Sequence, residues 1–532
     1  MRTLFIGLDG ATFTVLDKLA SHDGREGVVM PFLSGIYREG TRCKLLSTPN
    51  PLTPPAWVSL MTGRSPGHHG VFDFIRAEER MDDVFFTLYD ARDIRTETIW
   101  SIASRCGRSV AALNFPFTAP PPENLNGFIV PGFVPWRHLR RNTRPGEFYE
   151  RLKGLPGFNP RELAWDFENE KQAIQLLSDE DRERWVRYHL PREKQWFMIA
   201  EYILQHEDPD LLAVMFDGVD KLQHQAWAFI DPDRVDGEAD VYHRRMHGLC
   251  MDYFRQLDQF LEQLVTQAGP EVQVFLASDH GFTSTYEVVR INAYLHEKGY
   301  LHWKETERTE EAFRREQSMF ANLDWSRTTA YCRTPSSNGI YIRVSDGEDG
   351  TGIRPEDYET FREQLIRDLE ELRDPATDER ILSGIYNRED VFAGAAMEDA
   401  PDLLLTLRDC GFVSIKNKKP FVEERPEIAG THHPEGVFFA MGPGIVNGAG
   451  PQSMRIMDVA SILLYSLGIA VPEDFEGEIP EGIFSPEHLA HNPVLIGGAS
   501  LTEDNRAADG EEMSREEEDA IKAQLKLLGY LE

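Results

Sequence analysis

The chain has 532 residues, with 89 Asp and Glu against 56 Lys and Arg, for a formal net charge of -33. That length allows a large core in one enlarged domain or in more than one. The charge excludes a long nucleic-acid duplex as partner unless a local basic channel exists, and it favours a small anionic substrate held by bound metal; no run of about 18 apolar residues marks a membrane span.

The chain enters a strand at once. MRTLFIGLDG lacks a charged region followed by a long apolar one, so a cytoplasmic protein is expected. Cys43, Cys106, Cys250, Cys332 and Cys410 are odd in number, far apart and without CxxC spacing, which predicts reduced thiols rather than a disulfide framework or thiolate zinc knuckle.

Strands are predicted at LFIGL (4 to 8), SVAALNF (109 to 115), FIVPGF (128 to 133), LLAVMF (211 to 216), VQVFLA (272 to 277), GIYIRV (339 to 344), DLLLTL (402 to 407) and VFFAM (437 to 441). Several are nearly continuously apolar, as strands covered on both faces are. Helical patterns lie between them in QWFMIAEYILQHE, from 240 to 268, in ETFREQLIRDLEEL and in MDVASILLYSLG, where Gly468 is the stop. The order is βαβ, so the expected fold is α/β with a mainly parallel central sheet and helices on both faces.

Two excursions break that order. Residues 134 to 195 are rich in Trp, Arg and acids, and residues 285 to 335 carry charged helical sequence. Each reads equally as a helical cap over a site or as a solvated flap. Arg137, Arg140, Arg141 and Arg144 form a compact basic cluster, either an exposed face paired with acids or an anion gate. The α/β domain is expected over residues 1 to 490, and 491 to 532 as an acidic linker with a terminal amphipathic helix. Ser514 and Glu517 fit a capping box there, Ile521, Leu525 and Leu528 share one face, and Gly529 is the stop. Docking on the body and docking on a second subunit, which would make a homodimer, are both open.

The chemistry-bearing residues cluster at strand ends. Asp9 follows the first strand and precedes Gly10; Asp279 and His280 repeat that arrangement before Gly281. An adjacent Asp and His can give one oxygen and one nitrogen to a divalent ion. Asp220 and His224, four apart, share a helix face and can share an ion, with Asp217 able to replace or assist Asp220. His432 falls in a Gly-flanked loop before VFFAM. Thr53 precedes Pro54 and Pro55 and so falls at a helix N-cap or one residue from it. It is either a cap or a nucleophile at the positive end of that helix.

In order, GLDG (7 to 10), LTPPAWVSLMTG (52 to 63) with SPGHHG, DKLQH (220 to 224), SDHG (278 to 281) and GTHHPEGVFFAMGPG from 430 resemble the alkaline phosphatase superfamily. Within it they resemble the type I phosphodiesterase and nucleotide pyrophosphatase branch, and the likeness runs from residue 7 to about 477. It implies an alkaline-phosphatase-like fold and two divalent ions, zinc by preference, with manganese or iron as alternatives. Asp9, Thr53, Asp279 and His280 would hold one ion, and Asp220, His224 and His432 the other. Such a pair clamps the oxygens of an in-line displacement, with Thr53 attacking phosphorus to give a phosphothreonine that water hydrolyses. The implied activity is hydrolysis of a small phosphodiester or pyrophosphate-linked molecule. The alternatives are a phosphomonoesterase or phosphomutase of the same superfamily, and a degenerate binding protein.

The nucleophile segment lacks the CxPxR element of sulfatases. Pyrophosphatases of the branch also place an Asn after the HHG element, where this chain has Phe74. Asn114 is the candidate replacement donor, because Pro54 has no amide to offer. Trp57 and Phe74 are candidates for an aromatic substrate wall, or else core packing.

Overall fold

The computed structural model describes residues 2–21, 27–80, 83–163, 178–230, 240–304, 319–345, 351–501, 518, 521, 522, 525, 530 and 531. They form two compact units: residues 1–71, 90–284 and 429–524 make the first, and residues 72–89, 285–428 and 525–532 the second.

The first unit contains an eight-stranded sheet: β1 (Thr3–Leu8), β2 (Thr41–Leu46), β3 (Val110–Leu113), β4 (Gly127–Val130), β5 (Leu211–Phe216), β6 (Gln273–Ala277), β7 (Glu435–Met441) and β8 (Gly448–Arg455). Their spatial order is β8-β2-β7-β6-β1-β5-β3-β4. β1 pairs in parallel with β5 and β6, and β3 in parallel with β4 and β5. β7 alone runs antiparallel to both its neighbours, β2 and β6. β1, β3, β5 and β6 are buried at every position. That is the state their apolar runs require, since helices cover both faces of such a sheet.

Helix α1 (Thr53–Thr62) is buried at every residue. Its Trp57 lies edge-on to Phe115 at 5.4 Å between ring centroids, and Phe115 also stacks on Phe5 at 5.9 Å. Gly7 makes this fit possible, because a Cβ there would stand 2.6 Å from the Trp57 indole. Full burial of such an aromatic contributes about 2 to 3 kcal/mol, which fixes the helix against the strand whose end carries Asp9. α1 stops at Gly63, which adopts a left-handed φ of 64°, a conformation that favours glycine.

Three further helices pack together beside β5: α2 (Asp179–His206), α3 (Gly218–Ile230) and α4 (Val241–Ala268). Phe197 of α2 stacks on Phe260 of α4 at 4.4 Å. The Trp185 indole donates to the Lys221 carbonyl at 3.3 Å, tying α2 to α3. The excursion from 134 to 195 therefore ends inside this layer, with Trp185, Val186, His189 and Arg192 buried. Its earlier part forms the short helices Trp136–Asn142, Gly146–Lys153 and Pro160–Leu163. Of its arginines, Arg140 pairs with Glu150 at 2.9 Å, and the Arg144 guanidinium donates to the Arg141 carbonyl at 2.8 Å.

The second unit has a four-stranded antiparallel sheet of Ala330–Cys332, Gly339–Ile342, Leu382–Asn387 and Leu403–Leu407. GIYIRV and DLLLTL, expected as central strands, belong to this sheet. Trp325, Tyr331, Leu365 and Leu403 are part of its core. The charged stretch from 285 lies in the segment 285–428 of this unit; its part ETERTEEAFRREQS, residues 305 to 318, lies outside the described residues. Tyr530 packs on Phe74 and Phe412 at 4.7 and 5.6 Å, while Ser514, Glu517, Leu528 and Gly529 lie outside the described residues. No helix among the described residues is long and apolar enough to cross a membrane.

Candidate metal centre

The C-terminal ends of parallel strands form one rim, the usual place for a site in an open α/β sheet. Asp9 follows β1, Asp217 follows β5, Asn114 follows β3, and Asp279 and His280 follow β6 by way of Ser278. The register fixes the neighbours, because Leu8 lies opposite Phe216 and the Asp9 amide donates to the Phe216 carbonyl at 3.1 Å. Asp220 and His224 come from α3, whose approach depends on Gly10. This glycine has φ 69°, and a Cβ on it would stand 3.1 Å from the Asp220 backbone. The Gln223 amide donates to the Gly10 carbonyl at 2.8 Å and locks the two together.

His432 lies in the strand Val422–His433 rather than in the loop expected from its glycine neighbours. Thr53 is the first residue of α1, one past the N-cap Leu52, and the cap makes no side-chain hydrogen bond. Its Oγ1 lies instead 3.3 Å from His280 Nε2. All seven expected ligands, Asp9, Thr53, Asp220, His224, Asp279, His280 and His432, are buried and lie in the first unit.

Two groups emerge among them. The ligand atoms of Asp9, Asp279 and His280 lie within 4.8 Å of one another, and so do those of Asp220, His280 and His432. His224 joins the second through its Nε2, 3.0 Å from His432 Nε2 and 3.4 Å from Asp220 Oδ1.

Hydrogen bonding turns each donor inward. His432 Nδ1 contacts the Pro51 carbonyl at 2.7 Å and His280 Nδ1 the Gly281 carbonyl at 3.0 Å. A carbonyl only accepts, so each Nδ1 carries the proton and each Nε2 presents a lone pair. Asp9 Oδ2 accepts from the Trp57 indole at 3.4 Å and Asp279 Oδ1 from the Gly10 amide at 3.1 Å. The opposite oxygens, Asp9 Oδ1 and Asp279 Oδ2, have no hydrogen-bond donor, and neither has Asp220 Oδ1.

His432 Nε2 stands 3.2 Å from that Asp220 oxygen, so lone pairs face each other across buried space. Such an arrangement is costly unless a cation fills it. Burial, together with Asp279, Asp220 and Asp217, raises the Asp9 carboxyl well above its usual range. Burial pushes Asp279 up to about 8, with Asp220 adding to the rise. Burial also lowers His280 and His432, keeping both neutral as ligands must be. The all-oxygen and nitrogen donor set, its orphaned oxygens and its inward lone pairs fit divalent cations.

The three residues expected to touch substrate are placed differently from one another. Trp57 is fully buried beneath the rim and reaches it only through the indole bond to Asp9. Asn114, at φ 66°, donates its amide to the Met215 carbonyl at 2.9 Å and to Asp217 Oδ1 at 3.4 Å. Phe74 belongs to the second unit and packs on Tyr530.

Sequence reasoning named Asp217 as a stand-in for Asp220 but passed over the residues that hold it. Asp217 pairs with Arg192 through one oxygen and with Lys221 Nζ at 2.6 Å through the other. Burial would raise its carboxyl, but these two cations hold it below the usual range. Glu193 accepts from the Gly218 amide at 2.6 Å, and burial pushes it up to about 8. Gly218 has to be glycine, since a Cβ would stand 2.5 Å from that carboxylate.

The family model for type I phosphodiesterase / nucleotide pyrophosphatase matches residues 3–435. Among solved structures, human ectonucleotide pyrophosphatase/phosphodiesterase 5 superposes with a TM-score of 0.50 at 14% identity, covering 90% of this chain and 97% of its own. The murine protein, in an inactive form in complex with AMP, gives the same TM-score, identity and coverage. Phosphonoacetate hydrolase from Sinorhizobium meliloti 1021, in complex with phosphonoformate, gives 0.47 at 15% identity, covering 88% of this chain and 95% of its own. No curated protein matches. With its motifs, its rim of converging ligands and the family match over most of its length, the chain belongs to the type I phosphodiesterase/nucleotide pyrophosphatase family of the alkaline phosphatase superfamily and is a hydrolytic enzyme.

Proposed function

We propose that the chain is a two-metal phosphodiesterase that cleaves a small phosphodiester or pyrophosphate-linked molecule through a phosphothreonine at Thr53. The observation that carries this reading is the convergence of three donor-less carboxylate oxygens and three imidazoles beside the uncapped Thr53 hydroxyl. Asp9, Asp279, His280 and Thr53 would hold one ion, and Asp220, His224 and His432 the other. Zinc suits the donor set best, with manganese and iron as the alternatives. When bound, two such ions would supply Lewis acidity for the phosphoryl oxygens and would lower the pKa of a coordinated hydroxyl or water.

The chain's own groups do the rest. Burial beneath the rim excludes bulk water from Thr53, and its place in the first turn of α1 puts its oxygen at the positive end of that helix. The Thr53 oxygen, having lost its proton, attacks phosphorus as the bond to the alkoxide or phosphate leaving group breaks in line and that group takes up a proton; water then gives up a proton and displaces Thr53, which is reprotonated, and two inversions give net retention.

The test compares an aryl diester with an aryl monoester on the metal-loaded protein. The diester should be preferred by at least about tenfold in kcat/KM, and Thr53→Ala should reduce turnover by at least about a thousandfold. Acid-quenched wild type should carry a phosphoryl adduct on Thr53. Monoester preference would move the assignment to a phosphatase or mutase, and turnover retained in Thr53→Ala would remove the nucleophile.

A further inference from the structure

One polar cluster behind the rim is not used by the reaction as described. Asp217 ends the strand next to the one that delivers Asp9, and it is three residues before Asp220. Its place and type qualify it as a ligand, yet both its oxygens are occupied by Arg192 of α2 and Lys221 of α3. Arg192 and Asp217 are 0% and 1% exposed and Lys221 is 2% exposed, so water does not screen these contacts.

Arg192 is delivered from far along the chain, just after Pro191 inside α2. Its Nε and Nη2 have no hydrogen-bond partner among the described residues, so its single ion pair carries its placement. Other polar groups around the cluster include Tyr188, His189, Glu193, Tyr253 and Asn114. Tyr253 donates to Glu193 at 3.3 Å, Asn114 to Asp217, and neither ring nitrogen of His189 has a hydrogen-bond partner. Two cations therefore stand against Asp217, which precedes Asp220 by three residues, and Lys221 follows Asp220 directly.

We propose that Arg192 and Lys221 are positioning residues that hold Asp217 out of the ligand set, so that the second cation is fixed by Asp220 and its affinity is limited by their positive charge. The proposal rests on the metal-centre reading above. Lys221 forms the i, i+4 pair with Asp217 across one turn of α3, and the same turn presents Asp220. Releasing Asp217 would offer a competing carboxylate at the neighbouring strand end and remove a repelling charge. Cation binding would tighten while the productive ligand geometry is lost.

This pairing of effects is what a merely structural role would not produce. The full-length protein, stripped of metal, is titrated with Zn²⁺ against a chromogenic chelator, and kcat and KM are measured on the reloaded enzyme. In Lys221→Met, affinity for the weaker-held ion should rise on the order of tenfold, while kcat falls at least about tenfold with KM nearly unchanged. Lys221→Arg should preserve both values. The double variant Lys221→Met/Asp217→Asn keeps the wild-type charge sum and should return affinity to within about twofold of wild type.

Unchanged or weakened binding in Lys221→Met would overturn the proposal. If that variant does not fold, the double variant decides alone, and affinity far from the wild-type value overturns it. Failure of the wild type itself to bind two equivalents of any divalent ion would instead overturn the metal-centre reading on which the proposal rests.

Discussion

Asp279 illustrates what burial does to a carboxylate meant for a cation. Without an ion it is pushed up to about 8, first by burial and then by Asp220, while Asp9 is raised by burial, Asp279, Asp220 and Asp217. A raised value means that the proton is retained at neutral pH, so a cation must expel it on binding. Apparent affinity should therefore climb by about tenfold per pH unit for the Asp279 proton, and that part of the dependence should level off above about pH 8. Calorimetric titration with Zn²⁺ in buffers of different ionisation enthalpy counts those protons; affinity that stays flat between about pH 6 and pH 8 would contradict the picture. These candidate ligands were readable before folding, since Asp9, Asp279 and His280 stand between an apolar run and a glycine and Asp220 and His224 are one helical turn apart. Arg192 was not, because nothing local distinguishes it from a solvated helix arginine; only the packing of α2 against β5 brings it to Asp217. Asp217 itself was legible as a carboxylate in the right place, and its partners decide its role.

At the next scale, α1 carries Thr53 and must hold its own position without a capping side chain. It is anchored from the far side, where Ser59 Oγ lies 3.0 Å from His69 Nε2 and the Val71 amide donates to His69 Nδ1 at 3.1 Å. Nδ1 is therefore the acceptor and Nε2 the donor, and burial lowers this imidazole to about 3, keeping it neutral. Ser59→Ala would remove one acceptor from an imidazole N–H that also faces the Pro55 carbonyl and should destabilise the protein by about 0.5 to 1.5 kcal/mol, read as a lower thermal midpoint; an unchanged midpoint would show that the pair contributes nothing. The lowered imidazole adds a pH dependence: the unfolded chain takes up that proton below about 6.5, so stability from this group is full above that pH and is lost as pH falls toward about 3.

The apolar runs of β1, β5 and β6 were plain in the sequence because both faces are covered. β2 was missed because its burial alternates along TRCKLL, and β8 because GAGPQSMR contains no apolar run. Continuity of hydrophobic residues reports covered faces but not the partner strand, which is why GIYIRV and DLLLTL read like central strands and yet pair in the second unit. His432 looked like a loop residue for a related reason, since GTHH between glycine and proline gives no apolar alternation, whereas backbone pairing defines its strand.

Across the whole molecule the second unit is assembled from three separated pieces of chain, and no local pattern announces that Phe74, Phe412 and Tyr530 will meet. Net charge, in contrast, is legible in full from composition. At -33, the long-range field repels an anionic ester that the proposed metal centre would attract at short range. Salt weakens the first more than the second, because the Debye length shrinks from about 30 Å at 0.01 M to about 10 Å at 0.1 M while buried charges remain poorly screened. For a monoanionic aryl diester, kcat/KM on the metal-loaded enzyme should thus rise a few fold over that range of monovalent salt. A zwitterionic diester bearing a quaternary ammonium has no net charge to be repelled, and its kcat/KM should stay nearly constant. If kcat/KM for the anionic ester instead falls with salt, the field at the mouth of the site is positive despite the composition, and attraction at the rim rather than repulsion by the body governs encounter.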